Sequence, residues 1–409
     1  MRISFKRNLQ KLFCFIAVLL IVLCSNSVYF HQVYGKVTTI IFLIFSIMYF
    51  LINNNFIIRI SKHNLCLFCI IFITVFFSSL VNYSNIINLN LLIIFFCFLI
   101  SMLLLMESIT FSVFSHYYVF IITLLSIISL IVFYLYEFGI LFSTNIKVGK
   151  IIYVMCFWEN MGWGYNYHRI AGIFWEGGAY QIFINYALLL KFEQLTRKKA
   201  TLTDLLQIII MSYTLILTRS TSGYLVFAIL IILYFSKIKF SNNFEKRHKY
   251  IKIMIGLVPV ALFVISIIFS NVVQNKFSIR NESYVVRTDN FYQSISTILD
   301  YPLFGVGYYT EYANSRLGIN SNGILEMGVF LGVPIIALYI YSYYFKYKEV
   351  NFSIPFLFFL LFILFENSTE CILSFPISYI FIFEFKKNIK ICCENVLETN
   401  SVIEGDNSL

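Results

Sequence analysis

Twelve continuous apolar runs dominate this sequence, and they leave few folds open to it. A helix that crosses a bilayer needs about 20 apolar residues. Runs of that order occur near 12–30, 37–54, 65–82, 88–106, 116–136, 171–190, 204–218, 222–236, 253–271, 321–345, 352–366 and 371–385. They are continuous rather than alternating, which excludes a membrane β-barrel. Charged residues are 12% of the chain, against roughly 25% in a soluble domain. A soluble enzyme, a disordered chain and a repeat solenoid are excluded with the barrel. The expected fold is an all-α polytopic membrane protein, one integral domain over 1–409. Runs seven and eight are divided only by Thr218–Thr221, and eleven and twelve only by Glu366–Glu370, so ten to twelve helices are expected. Few prolines predict mostly unbroken spans.

The net charge of +10 is read by side of the membrane, not as affinity for nucleic acid. With a cytoplasmic N-terminus, 21 of the 30 Lys and Arg fall inside and nine outside. The positive-inside rule then puts both termini in the cytoplasm, the tail 386–409 included. The apolar run after Lys6–Lys11 is expected to stay as a signal anchor, because no small-residue cleavage site follows it. Two external loops are long, 137–170 and 272–320, and both are rich in Tyr, Asn and Gly. Loops of that length are usually functional or disordered, and this composition favours function.

Several chemistries lack their residues. Cys66 and Cys69 form a single C-x-x-C with no second pair. His31, His63, His116, His168 and His248 are scattered without metal-ligand spacing, and there is no Walker A sequence. No metal and no cofactor are expected.

Three outer-side segments carry candidate chemistry. In the first, Arg169 stands at the membrane surface and Glu176 two turns into an apolar run. A carboxylate in a membrane is costly and needs a partner. Seven residues apart, the two share a helix face if the helix starts early, either as a functional pair or as a lock on the helix. The second, Thr218-Arg219-Ser220-Thr221-Ser222-Gly223, is a polar turn readable as an anion cradle or as a helix N-cap. The third runs from Arg280 through Arg287 into an amphipathic helix with Phe291, Ile295, Ile298 and Leu299. The turn Asp300–Gly307 closes it, and Arg316, Ser321, Asn322 and Glu326 follow. The helix is expected on the outer membrane surface, apolar face down. Arg280 alone suits a headgroup or solvent contact, whereas Arg287, inside the helix, suits function.

The order of these segments resembles the bacterial O-antigen polymerase and ligase superfamily. Arg169-x-x-Gly172-x-Phe174-x-Glu176 is similar to the family's Arg…Gly-x-Phe…Glu segment. Ser220–Gly223 resembles its Ser/Gly turn, Arg287 with Pro302–Gly307 its large-loop Arg and PLFGVG run, and Ser321-Asn322 through Glu326, Gly328 and Gly332 its entry to the next span. The resemblance implies a glycosyltransferase of the inner membrane, with its active site on the periplasmic face. Its donor would be an undecaprenyl-diphosphate-linked oligosaccharide. Arg169 and Arg287 would clamp the diphosphate, with Arg219, Arg280 and Asn322 also binding substrate. Glu176 or Glu326, with His168 as the less favoured choice, would take the acceptor proton. Many ligase-type members carry His where this chain has Ser321, which favours a polymerase of O-antigen or capsular chains. A ligase of the same superfamily and a flippase for the same lipid are the alternatives. A polymerase implies membrane lipid and a chain-length regulator as partners, and no nucleic acid.

Overall fold

The computed structural model describes residues 2–25, 27–28, 35–54, 56–82, 89–141, 144–146, 149–152, 155–159, 168–174, 176–237, 253, 282–308, 322–370 and 375–387. Five helices open the chain: α1 (Arg2–Cys24), α2 (Gly35–Asn53), α3 (Lys62–Val81), α4 (Leu89–Met106) and α5 (Phe111–Glu137). The first five expected spans fall on them. α2 to α5 are each long and apolar enough to cross a membrane. Their outward faces keep large apolar side chains exposed, such as Ile40, Ile44 and Met48 on α2 and Ile73, Phe76 and Leu80 on α3. Such a face belongs in lipid rather than water.

The chain after α5 departs from the all-α expectation. β1 (Thr144–Ile146), β2 (Gly149–Ile152), β3 (Met155–Glu159) and β4 (His168–Gly172) pair in sequence order as an antiparallel sheet. The hydropathy reading passed over it because strands of three to five residues carry little periodic signal. β4 leads into α6 (Gly177–Arg197), and a backbone bond from Val28 N to Ile173 O (3.0 Å) ties the connection to the end of α1.

α6 is the axis of the molecule. From Gly177 to Leu195 almost every side chain is buried, and α5, α7, α8 and β4 all pack on it. α7 (Leu202–Leu217) starts on a capping box, in which the Thr201 hydroxyl and the Asp204 carboxylate each satisfy a backbone N–H of the other residue. α8 (Thr221–Lys237) follows the short turn expected at Thr218–Thr221. The expected span 253–271 lies, apart from Ile253, outside the described residues.

The amphipathic helix of the large loop is present as α9 (Glu282–Asp300). It buries Ser294, Thr297 and Ile298, while Phe291, Ile295 and Leu299 are exposed. The Ser294 hydroxyl donates to Asn290 O (2.7 Å) and that of Thr297 to Gln293 O (2.8 Å), so both are satisfied within α9. The expected span 321–345 is not one helix. It is α10 (Gly323–Leu331) and α11 (Val333–Val350), broken at Gly332 with φ +82°. The Pro302–Gly307 turn fills the break. Val333 N donates to Pro302 O (2.8 Å), Val306 N to Val329 O (2.9 Å) and Gly307 N to Phe330 O (3.2 Å). A methyl on Gly332 would stand 2.6 Å from Pro302 O, so only glycine permits this approach.

α12 (Phe356–Thr369) runs through Glu366, which corrects the reading of Glu366–Glu370 as a loop between spans. The final run is also irregular. Only α13 (Pro376–Tyr379) is helical among its described residues, and the chain then turns and extends to Lys387. Non-helical backbone at membrane depth is tolerated where protein surrounds it. Here Ile377, Tyr379 and Phe383 are fully buried. At one end the segment is held by Ser25, whose hydroxyl accepts from Ile377 N (2.8 Å). At the other, Lys386 N donates to Met106 O (2.7 Å). There Lys346 donates to Phe383 O and pairs with Glu349 (2.6 Å).

The two ends of the bundle therefore differ. One gathers the starts of α3, α5 and α7 with the ends of α2, α4, α6 and α11, and with Lys62, Lys191, Arg197 and Lys346, all from the set expected inside. The other gathers β4, the start of α6, the α7–α8 turn and the end of α12.

Candidate functional site

The second end of the bundle is built around the first turn of α6. Glu176 is the N-cap residue of α6, with φ −148° and no side-chain capping bond. A carboxylate there sits favourably against the positive end of the helix dipole. Arg169 lies on β4, not on α6, so the expected shared helix face does not exist. The extended backbone from Ile170 and the left-handed Gly172 (φ +60°) turn the chain before α6 begins. Among the described residues Arg169 and Glu176 form no ion pair.

Arg169 reaches the α7–α8 turn instead. Its Nε donates to Thr218 O (3.1 Å) and its Nη2 to Arg219 O (2.9 Å). These carbonyls close α7, where unpaired acceptors and the negative dipole end attract a cation. Arg219 itself holds φ +51°, a left-handed conformation costly for a residue with a Cβ. The Thr218 hydroxyl donates to Leu215 O (2.7 Å), and Ser220 and Ser222 bond each other (3.0 Å). The turn is thus a strained, internally bonded link between two helices, clamped by Arg169.

Glycines bring these parts together. A methyl on Gly177 would stand 2.7 Å from Thr218 O, so α6 starts against the Arg169 clamp. A methyl on Gly178 would collide with Glu370 Oε1 and stand 2.8 Å from Glu176 Oε1. Two carboxylates, from the start of α6 and the end of α12, therefore face one glycine. Glu370 is buried, and Glu176 is partly exposed.

Below this mouth the contact between α6, α8 and α12 is polar. Gln181 Nε2 donates to Thr369 Oγ1 (3.2 Å), and Asn185 Nδ2 to Glu366 Oε1 (2.7 Å). Asn185 Nδ2 also lies 3.3 Å from Gly223 O, and Gly223 gives Gln181 its room. Deeper still, Tyr186 donates to Asn367 Oδ1 (2.9 Å), and Asn367 Nδ2 to Tyr343 (3.0 Å). Sequence reasoning missed Glu366 and Glu370 as site residues. Their signal was available: two carboxylates four apart at the end of an apolar run, a pattern that membranes penalise.

The other expected residues are placed unevenly. Asn322 N-caps α10, its Oδ1 accepting from Leu325 N (3.1 Å), and Glu326 is buried in the first turn of that helix. Arg287 lies on α9, its side chain outside the described set, and Arg280 and Ser321 lie outside the described residues. The structure joins Arg169, Arg219 and Glu176 around the start of α6. Among the described residues no group of three or more His, Cys, Asp and Glu has metal-binding geometry.

Residues 206–340, about a third of the chain, match the family model for O-antigen ligase. That segment is similar to the O-antigen polymerase and ligase superfamily. It begins within α7 and ends within α11, so it takes in Arg219, Arg280, Arg287, Asn322 and Glu326. Arg169, Glu176, Glu366 and Glu370 lie outside it. No curated protein and no solved structure matches the chain.

Proposed function

We propose that this protein is a glycan polymerase. It joins undecaprenyl-diphosphate-linked oligosaccharide repeats into O-antigen or capsular polysaccharide on the outer face of the bacterial inner membrane. The observation that carries the reading is the convergence of Arg169, the Arg219 turn and Glu176 at one end of a multi-pass helical bundle, with the family match covering the turn and the α9–α10 segment. That end is opposite the one that gathers the lysines expected inside, so it is read as the outer face.

The chemistry follows from the residue types. The donor's leaving group is a diphosphate, and cationic donors stabilise the charge that grows as the glycosidic bond breaks. Arg287 on α9 and Arg169 beside the α7–α8 turn supply guanidinium groups, with Arg219 and Arg280 as further substrate contacts. Two N–H groups of Arg169 already hold backbone carbonyls, so its share in catalysis includes holding the turn. Glu176 accepts the proton of the attacking sugar hydroxyl, with Glu326 as the other carboxyl of the reading. Asn322 fixes the start of α10. The driving force resides in the activated lipid donor, so the reaction needs no ATP, metal or cofactor.

A second reading is favoured by the description of the matching family: a ligase that moves finished glycan onto a lipid or protein acceptor. Ser321, in place of the His found in many ligase-type members, favours the polymerase. Nothing in the match supports a flippase. Deletion of the gene, with surface glycan resolved by size, tests the reading. A single short band of core plus one repeat is expected. A full ladder held on the carrier lipid and absent from the core would establish the ligase instead, and loss of every outward-facing repeat would establish a flippase.

A further inference from the structure

The polar contact between α6, α8 and α12 is an unusual way to join three helices in an apolar interior. Buried polar groups cost free energy unless every one is bonded, and apolar side chains of similar size would pack as well. Here Glu366 Oε2 and Asn185 Oδ1 are both buried and find no hydrogen-bond partner among the described residues. The arrangement therefore does something other than hold helices together. It fixes the rotation of α12. Glu366 and Asn367 lie in its last turn and are bonded to Asn185 and Tyr186 of α6, Gln181 holds Thr369 beside them, and Glu370 is the extended C-cap residue that follows. With α12 so turned, Glu370 points at Gly178 and meets Glu176 there.

We propose that Glu370 is a further catalytic residue, paired with Glu176 across Gly178, and that Gln181, Asn185 and Glu366 are its positioning residues. The proposal deepens the glycosyltransferase reading and rests on it. Three kinds of group then surround one helix end: two carboxylates, the α6 N-terminus and the Arg169 guanidinium held at Thr218 O. A pair of carboxylates suits a sugar, because neighbouring hydroxyls donate to both. In the step itself the acceptor oxygen forms a bond to the anomeric carbon. The bond from that carbon to the diphosphate oxygen breaks, and its electron pair leaves with the diphosphate. The hydroxyl proton passes to the Glu176–Glu370 pair, one carboxylate taking it and the other accepting a hydrogen bond from it. Atoms and charge balance with no further reactant.

The test uses full-length protein in lipid nanodiscs, purified lipid-linked repeat units and product lengths resolved on a gel. Glu370→Gln removes one carboxylate of the pair and keeps the shape. Its elongation rate is expected to fall about 100-fold or more, the scale of general-base loss, with an unchanged unfolding midpoint. Glu370→Asp keeps the charge, withdraws it by one methylene and guards against misfolding; it is expected to lose rate as well. For the positioning residues, Gln181→Leu is expected to lower kcat with little change in KM, and Glu366→Gln, which still accepts from Asn185, to retain most of the rate. Wild-type elongation by Glu370→Gln or Glu370→Asp, from an active parent, overturns the proposal alone. A wild-type protein that elongates nothing overturns the glycosyltransferase reading and the proposal together.

Discussion

Arg169 and Arg219 are joined through the backbone: the guanidinium of the first donates from Nη2 to the carbonyl of the second at 2.9 Å. The same guanidinium holds Thr218 O through Nε. Charge-assisted hydrogen bonds contribute about 1.5–3 kcal/mol each. Arg169→Ala is expected to cost about 2 kcal/mol and to abolish chain growth, because the left-handed turn at Arg219 loses its clamp. Arg169→Lys is expected to fare little better, since one ammonium does not reproduce a planar fork. Unfolding midpoints in detergent and glycan ladders in cells check both. Normal ladders from both variants would remove Arg169 from the site.

Arg287 lies in the matched segment, on α9. Arg287→Ala and Arg287→Lys are expected to abolish polymer while membrane abundance stays at the wild-type level. A ladder from the Lys variant would show that charge alone, without bidentate geometry, is enough there.

Gly178 is a sharper probe of the carboxylates than either glutamate. Gly178→Ala puts a methyl into the oxygens of Glu370 and Glu176, so the side chains have to part. Alanine is itself favoured over glycine in a helix by about 1 kcal/mol. The expected result is a folded protein with strongly reduced elongation, measured with purified lipid-linked repeats. Undiminished elongation would mean that the spacing of the two carboxylates does not matter.

The opposite end of the bundle offers a control. Asn64 and Glu384 exchange two hydrogen bonds, Nδ2 to Glu384 O (2.9 Å) and Glu384 N to Oδ1 (2.7 Å). Asn64 Nδ2 also meets Glu107 Oε1 (2.7 Å). This side chain acts as a short strand partner for the extended backbone at Glu384. Asn64→Ala leaves buried backbone groups unpaired and is expected to cost about 2–3 kcal/mol. Activity per folded molecule is expected to stay normal, because the candidate site lies at the other end. A selective loss of activity with full stability would contradict that separation.

Topology is open to direct measurement. Reporter fusions at Phe157 and Asn290 are expected to register outside, and at Lys198 and Lys249 inside. The reverse pattern at either pair would break the assignment of the Arg169 end to the outer face.

Much of the helical plan was legible in the sequence because hydropathy acts locally. A continuous apolar run has few options in a bilayer, so α1 to α5, α7 and α8 fall on their expected runs. The punctuation at Thr218–Thr221 and the amphipathic period of α9 are local signals of the same kind. Other features were hidden because they depend on distant chain. The break at Gly332 exists because the Pro302–Gly307 turn supplies its hydrogen bonds. The irregular segment 375–387 is tolerated because α1, α3 and α4 and their flanks satisfy its backbone.

By itself, then, the sequence determined a multi-pass helical bundle and the residue types available at its surface, and it put Arg169 and Glu176 forward together as candidates. Only the tertiary structure decided their partners. Arg169 turned to the carbonyls of α7 rather than to Glu176, because a strand and a left-handed glycine separate the two. Glu176 faced Glu370 instead, because glycines on α6 and α8 let three helices approach closely enough for buried amides to set the rotation of the third. Hydropathy is a property of neighbours along the chain, and a site is a property of neighbours in space.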